Sequence, residues 1–201
     1  MKRGAGKGNI EGAGVDGTKI GLAPIAAADA RLFVLGSLPG DASLAAKRYY
    51  AHPTNQFWRL LGAAIGEDLH GLDYDDRLDR LKARRIGLWD VIASATRLGS
   101  LDQAIRGAAH NPLERMVDDY PRLEAIAFNG AAAAAAGRRI FGGVEGVALI
   151  DLPSSSAANT RPFADKAAAW ARLAGFAAPL ETALAQCAGH GMIGGDDADR
   201  G

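Results

Sequence analysis

The sequence predicts an α/β protein, a three-layer α/β/α sandwich around a central four-stranded parallel sheet. Four short apolar runs carry the first part of that reading: RLFVL (Arg31–Leu35), IGLWDVI (Ile86–Ile92), LEAIAF (Leu123–Phe128) and VALIDL (Val147–Leu152). Segments with helical spacing separate them, and strands alternating with helices build a parallel sheet covered on both faces. The second observation is the loop at the end of each run: GSLPG, the segment around Asp90, Asn129-Gly130 and LPSSS. Ligands of such sheets bind beyond the carboxyl ends of the strands, so these four loops are expected to converge on one site.

Residues 1–26 are rich in Gly and small residues, lack apolar periodicity, and are expected to form a disordered arm. GAGKG and GAGVDGTK within it are not Walker loops, because Thr18 precedes Lys19 and no strand comes before. A single folded domain is expected over 27–187, followed by a flexible Gly- and Asp-rich tail over 188–201. The basic N-terminus has no apolar core of a secretory signal, and no run of apolar residues is long enough to span a bilayer. A monomeric cytoplasmic protein without a membrane association is expected. The single cysteine, Cys187, excludes a disulfide framework and a cysteine-ligated cluster. His70 and His110 lack carboxylate or His neighbours at ligand spacing, so no metal is expected, nor any other cofactor. The formal net charge of zero means that any nucleic-acid contact must come from local patches.

Taken in order, the strand at Arg31–Leu35 runs into Gly36-Ser37-Leu38-Pro39-Gly40, a turn that presents backbone N–H groups and a hydroxyl. Its glycines and proline are expected to aim the Leu38 side chain at the site. Thr54 is positioned to cap a helix whose apolar residues Phe57, Leu60, Leu61, Ala64 and Ile65 recur at helical spacing, which puts Asn55 in the first turn. Glu67–Arg85 reads as an exposed amphipathic helix. Ile86–Ile92 delivers Asp90 near its end, and Ser94–Asn111 reads as polar connection with one short helix at Leu101–Arg106. A helix over 112–120 stops at Pro121. AAAAAAGRRIF, after Asn129-Gly130, is a helix whose small side chains allow close packing, and Phe163–Phe176 and Leu180–Cys187 are closing helices.

The window GSLPGDASLAAKRYYAHPTNQFW, residues 36–58, resembles the first motif region of the uracil-DNA glycosylase superfamily, and within it most closely the hypoxanthine-DNA (deoxyinosine) glycosylase family. HPTNQFW is also similar to the mismatch-specific uracil/thymine glycosylases. The resemblance extends more weakly over residues 30–175. It implies a uracil-DNA glycosylase-like fold and a DNA repair enzyme that hydrolyses the N-glycosidic bond of a deaminated base, with hypoxanthine foremost. The partner it implies is duplex or single-stranded DNA containing such a base.

On the same resemblance Asn55 is the catalytic residue, holding water on the sugar face. Ser37 and Leu38 would offer backbone N–H groups to the base carbonyl, and Leu38 stands where uracil-excising relatives carry a water-directing Asp or Asn. Tyr49 and Tyr50 are candidates for stacking on an extruded base, with Phe57 or Trp58 in reserve. Asp90 lies where related enzymes read the base, and a carboxylate there accepts an N–H from a purine's pairing edge. Asn129 ends the third strand beside the same pocket. His52, Ser154, Ser155, Ser156 and Arg161 are candidate DNA contacts. In the last motif the usual His or Asn is replaced by Leu152, and the wedge position holds Ser156. No motif position carries a lysine for Schiff-base chemistry, so the expected product is an intact strand with an abasic site. The competing readings are a mismatch-specific uracil/thymine glycosylase, a catalytically silent lesion-binding module, and a nucleotide-binding α/β protein.

Overall fold

The computed structural model describes residues 17–179. Its elements run β1 (Thr18–Ile20), β2 (Leu32–Gly36), α1 (Asp41–Ala46), α2 (Phe57–Ile65), α3 (Tyr74–Ala83), β3 (Ile86–Asp90), β4 (Ile92–Thr96), β5 (Arg106–His110), α4 (Met116–Asp119), β6 (Ala125–Asn129), α5 (Ala131–Phe141), β7 (Ala148–Leu152) and α6 (Phe163–Trp170). Short 3-10 turns occur at Asp102–Ala104, Leu113–Arg115 and Ala171–Gly175. The four predicted strands form one parallel sheet in the order β3-β2-β6-β7. Every residue of the central strands β2 and β6 is buried, as expected for strands covered on both faces.

Alternate side chains feed two cores. Leu32, Val34, Leu88, Ala127 and Ile150 pack on one face against Phe57, Leu60, Leu61 and Trp170 from α2 and α6. Phe33, Leu35, Ile126 and Phe128 pack on the other against Leu113, Met116, Ala133 and Phe141. That division produces the three layers. Close packing of α5 has a specific cause at Gly137, where a Cβ would lie 2.2 Å from the Phe128 ring. No described helix is long and apolar enough to cross a membrane.

A second sheet, antiparallel and ordered β1-β4-β5, was not expected from the sequence. The segment read as polar connection with a helix at Leu101–Arg106 instead supplies β4 and β5, with only the turn at Asp102–Ala104 helical. β5 is exposed along its whole length and so carries no apolar alternation. The expected arm over 1–26 is likewise corrected where it is described. Thr18–Ile20 pairs with Ser94–Thr96, Gly21 donates its N–H to Ala93 O, and Ile25 and Leu88 exchange backbone hydrogen bonds. Leu22 and Ile25 pack on the core, and the buried Tyr49 hydroxyl lies 3.3 and 3.1 Å from the carbonyls of Leu22 and Ala23. Deleting residues 1–24 removes these acceptors and the outer strand of the second sheet. Leaving a buried hydroxyl unpaired costs about 1–3 kcal/mol, so thermal unfolding should show Tm lower by at least roughly 3 °C. An unchanged Tm would contradict the packing. The expected helix at Leu180–Cys187 and the tail over 188–201 lie outside the described residues.

Candidate active site

The C-terminal ends of β2, β3, β6 and β7 open into a cleft of about 1360 Å³. Its lining includes Ser37, Leu38, Tyr49, Tyr50, His52, Asn55, Asp90, Asn129, Ser154, Ser155, Ser156 and Arg161, so these candidates border one space, while Phe57 and Trp58 do not. The strand-end rule places the cleft here. The details of each side chain depend on local chemistry that the sequence did not disclose.

The GSLPG turn is held from below by Arg97, a residue only 3% exposed. Its guanidinium donates to the carbonyls of Leu38 (3.0 Å), Gly99 (3.1 Å) and Pro39. Three carbonyls on one planar fork fix the turn's shape. Ser37 Oγ donates to Asp102 Oδ1 at 2.6 Å, which ties the turn to the β4–β5 connection. Among the described residues the backbone N–H groups of Ser37 and Leu38 donate no hydrogen bond, so they are available to an oxygen in the cleft.

Leu38 corrects one expectation. Its side chain is 5% exposed and packs with Ile92, Ala95 and Ile105 against the second sheet instead of pointing into the cleft. Leu38→Asn would bury an unpaired amide in that cluster, so it should destabilise the protein by about 3 kcal/mol without creating uracil release. A stable variant that gains uracil excision would show that the position does face the substrate.

Asp90, at the end of β3, stands opposite Gly36 in the parallel register. A Cβ at position 36 would lie 2.5 Å from Asp90 Oδ1, so glycine is required there for the carboxyl to occupy its place. Asp90 is 3% exposed, and its Oδ2 has no hydrogen-bond partner. Burial pushes the carboxyl up to about 7; contact with Tyr49 and the charge of Arg97 oppose the rise, and Asp102 adds to it. Burial, followed by the nearby Asp90 charge, raises both the Tyr49 and the Tyr50 hydroxyls, which therefore stay protonated.

The two tyrosines divide as core and cleft. Tyr49 is 2% exposed and belongs to the core, which leaves it no face for an extruded base. Tyr50 adopts a left-handed backbone (φ 53°), rare for an aromatic residue. This turns its ring onto Phe57, centroids 3.6 Å apart and planes 6° from parallel. Phe57 and Trp58 are themselves buried in the core.

Asn129 is a junction. Its Nδ2 donates to Tyr50 Oη (3.2 Å) and Ser155 Oγ (2.9 Å), and its Oδ1 accepts the Ser155 N–H (2.8 Å). The end of β6 is thus stitched to the Ser154–Ser156 loop. From beneath, Lys166, fully buried, donates to Gln56 Oε1 (3.0 Å) and to the carbonyls of Asn159 (2.8 Å) and Ser156 (3.4 Å). Trp170 Nε1 donates to Pro153 O at 3.0 Å. Ser154 Oγ and Ser156 Oγ each accept a backbone N–H two residues ahead, a local turn chemistry. Arg161 is exposed at the cleft's edge.

Asn55 lies two residues before α2, not within its first turn, and Thr54 is not the cap. The Phe57 N–H donates to Asn55 Oδ1 at 2.9 Å, while Thr54 Oγ1 sits 2.9 Å from His52 Nδ1. The cause is the turn at 52–55, closed by Asn55 N–H to His52 O, which places Asn55 nearest the free N–H groups of α2. This bond, an Asx turn ahead of the N-cap Gln56, orients the amide: one oxygen lone pair is engaged, one remains, and Nδ2 has no partner among the described residues. Arg97, Asp102, Lys166 and Trp170 are the contributors that sequence reasoning missed.

Among the described residues no group of three or more His, Cys, Asp or Glu is placed to hold a metal ion. The cleft instead offers a polarising amide, free backbone donors and a buried acid.

Comparison with known proteins places this geometry in context. The family model described as the uracil DNA glycosylase superfamily matches residues 23–174. A hypoxanthine DNA glycosylase of Methanosarcina acetivorans is 38% identical over 152 residues, which is 76% of this chain and 95% of the relative. A hypoxanthine DNA glycosylase of Methanosarcina barkeri is 44% identical over 112 residues, 56% of this chain and 71% of that protein. The solution NMR structure of a Methanosarcina acetivorans protein, described as a candidate uracil DNA glycosylase, superposes with a TM-score of 0.70 at 37% identity. It covers 78% of this chain and 96% of its own.

Proposed function

This chain belongs to the uracil DNA glycosylase superfamily, and from that membership we propose that it is a monomeric enzyme excising hypoxanthine from DNA that contains deoxyinosine. That it is a DNA glycosylase follows from the family and the relatives. The observation that carries the reading is the orphaned Oδ2 of Asp90, buried in the cleft wall, which favours a base with a protonated pairing-edge nitrogen. The choice of hypoxanthine over uracil, whose N3–H also lies beside a carbonyl, rests on the two hypoxanthine DNA glycosylase relatives. A base that presents an N–H there supplies the missing partner, and hypoxanthine carries N1–H beside a carbonyl. Adenine presents a lone pair at the same position, which a carboxylate repels.

The reaction breaks the C1′–N bond and forms a C1′–O bond to water. As the bond lengthens, positive charge develops on the sugar and negative charge on the base. The N–H groups of Ser37 and Leu38 meet the charge on the base carbonyl. Asn55, its amide held by the Phe57 N–H, accepts a hydrogen bond from water on the sugar face with its remaining lone pair. Water adds to C1′, and its proton leaves for the departing base or solvent. Phosphate is held by the Ser154–Ser156 loop, His52 and Arg161. The product is an abasic site in an intact strand.

Incubation with a duplex carrying one deoxyinosine should therefore release free hypoxanthine and leave a strand that breaks only on alkali treatment. Binding without release would support a lesion-binding module instead. Faster release from uracil mispairs would support the mismatch-specific reading.

A further inference from the structure

The connection from β4 to β5 carries two of the exposed large hydrophobic residues among the described ones, Leu98 at 92% and Leu101 at 56%. They do not sit on a slack loop. Between and beside them every anchor is tied to the pocket wall. Arg97 grips Leu38, Pro39 and Gly99; Lys19 Nζ donates to Gly99 O at 2.6 Å; Asp41 N–H donates to Ser100 Oγ at 3.0 Å; and Asp102 accepts from Ser37. Gly99, at φ +69°, makes the sharp turn that leaves Leu98 at the tip. Ser100–Gln103 line the cleft itself, so Leu101 stands on its lip.

A fixed turn that holds two leucines in water at considerable hydrophobic cost needs an occupant. Continuity with the base-accepting cleft identifies it. A nucleotide extruded from a duplex leaves an apolar gap between its neighbours, and proteins that open base steps fill such gaps with Leu, Ile, Phe or Met. The opposite rim carries no large aliphatic or aromatic side chain: the loop 153–161 presents small and polar residues with Pro153, half-buried and held through its carbonyl by Trp170, and the charged Arg161.

We propose that the Leu98–Leu101 turn is the duplex wedge of this enzyme: Leu98 enters the base stack as the target nucleotide leaves, and Leu101 supports it at the cleft mouth. This rests on the glycosylase reading above. The wedge acts on stacking alone, so it matters for a duplex and not for a single strand.

The test compares wild type, the double variant Leu98→Ser/Leu101→Ser and the double variant Leu98→Met/Leu101→Met. Single-turnover hypoxanthine release is measured from duplex and from single-stranded deoxyinosine oligonucleotides. The serine variant should lose at least about tenfold on the duplex, the factor equivalent to about 1.4 kcal/mol of unstacking support. It should keep its rate on the single strand within about twofold, and the methionine variant should recover the duplex rate, since volume and apolarity are retained. Equal losses on both substrates, or no loss on the duplex, would overturn the wedge. So would a wild-type dimer by sedimentation that the serine variant dissolves, because the leucines would then serve a second copy. In parallel, 2-aminopurine beside the lesion should brighten on binding wild type and not the serine variant. That signal reads unstacking without chemistry, so a protein that opens the stack but releases no hypoxanthine would count against the proposed base and not against the wedge.

Discussion

Asn55→Ala should lower the single-turnover rate of base release by at least about a hundredfold, the loss expected when one preorganised contact to the reacting water is removed. The structure adds a second effect. Because Asn55 Oδ1 accepts the Phe57 N–H at the start of α2, the alanine variant also loses that hydrogen bond, worth about 1 kcal/mol, and its Tm should fall by a few degrees. Asn55→Asp separates the two. A carboxylate keeps the acceptor and sits favourably at a helix N-terminus, so it should retain the Tm and more activity than alanine. Duplex affinity should be close to wild type in both variants, since the phosphate contacts lie elsewhere. Near-wild-type turnover in Asn55→Ala would remove this residue from the mechanism.

Asp90→Asn should lower base release by roughly ten- to a hundredfold, the range for a hydrogen bond to a charged group. It should also alter two pH profiles in opposite directions. The carboxyl is raised from its usual range to about 7 by burial, with Tyr49, Tyr50, Arg97 and Asp102 as its titratable neighbours. Reading an N–H requires the ionised form, so the wild-type kcat/KM for deoxyinosine DNA should rise with pH through about 7. Stability has the other sign. A carboxyl whose folded pKa lies above its unfolded one favours the fold fully below the unfolded value, and that contribution is lost as pH rises through about 7. Wild type should therefore lose Tm between about pH 4 and 7 more steeply than Asp90→Asn, with the two profiles parallel above that. The two proteins should nearly coincide only below about pH 4, and the variant should be the more stable above about pH 7. Such opposition is what a strained functional group produces. Tm profiles parallel at every pH would mean that Asp90 does not titrate as its burial requires.

The central sheet was legible because its strands are apolar on both faces. LFVL and AIAF are buried completely, and such runs stand out in sequence. The cleft was legible with it, since the loops after those strands could meet only beyond the sheet's edge. HPTNQFW pointed to the right neighbourhood, but not to which side chain accepts the first N–H of α2, because Asn and Thr can both do so and the turn at 52–55 decides. The second sheet was not legible: TKI is three residues long, RGAAH is wholly exposed, and IASAT gains its pairing only from those two. Leu38 was misdirected for the same reason, since the cluster of Ile92, Ala95 and Ile105 that receives its side chain belongs to that sheet and its loop. Arg97 and Lys166 carry no local signal at all. Each is a cation held mainly by main-chain carbonyls, with Arg97 reaching the distant turn at Leu38 and Pro39 and Lys166 the distant Gln56 side chain, and only the folded chain shows that both are buried.

Single-turnover base release from one duplex sequence carrying deoxyinosine, deoxyuridine, deoxyxanthosine or unmodified deoxyadenosine, with the strand tested for breakage before and after alkali, probes the central claim most directly. Deoxyinosine should react fastest, deoxyadenosine should not react, and strand breakage should require alkali. Faster excision of uracil than of hypoxanthine, or binding of deoxyinosine without release, would contradict the assignment of this cleft to hypoxanthine hydrolysis.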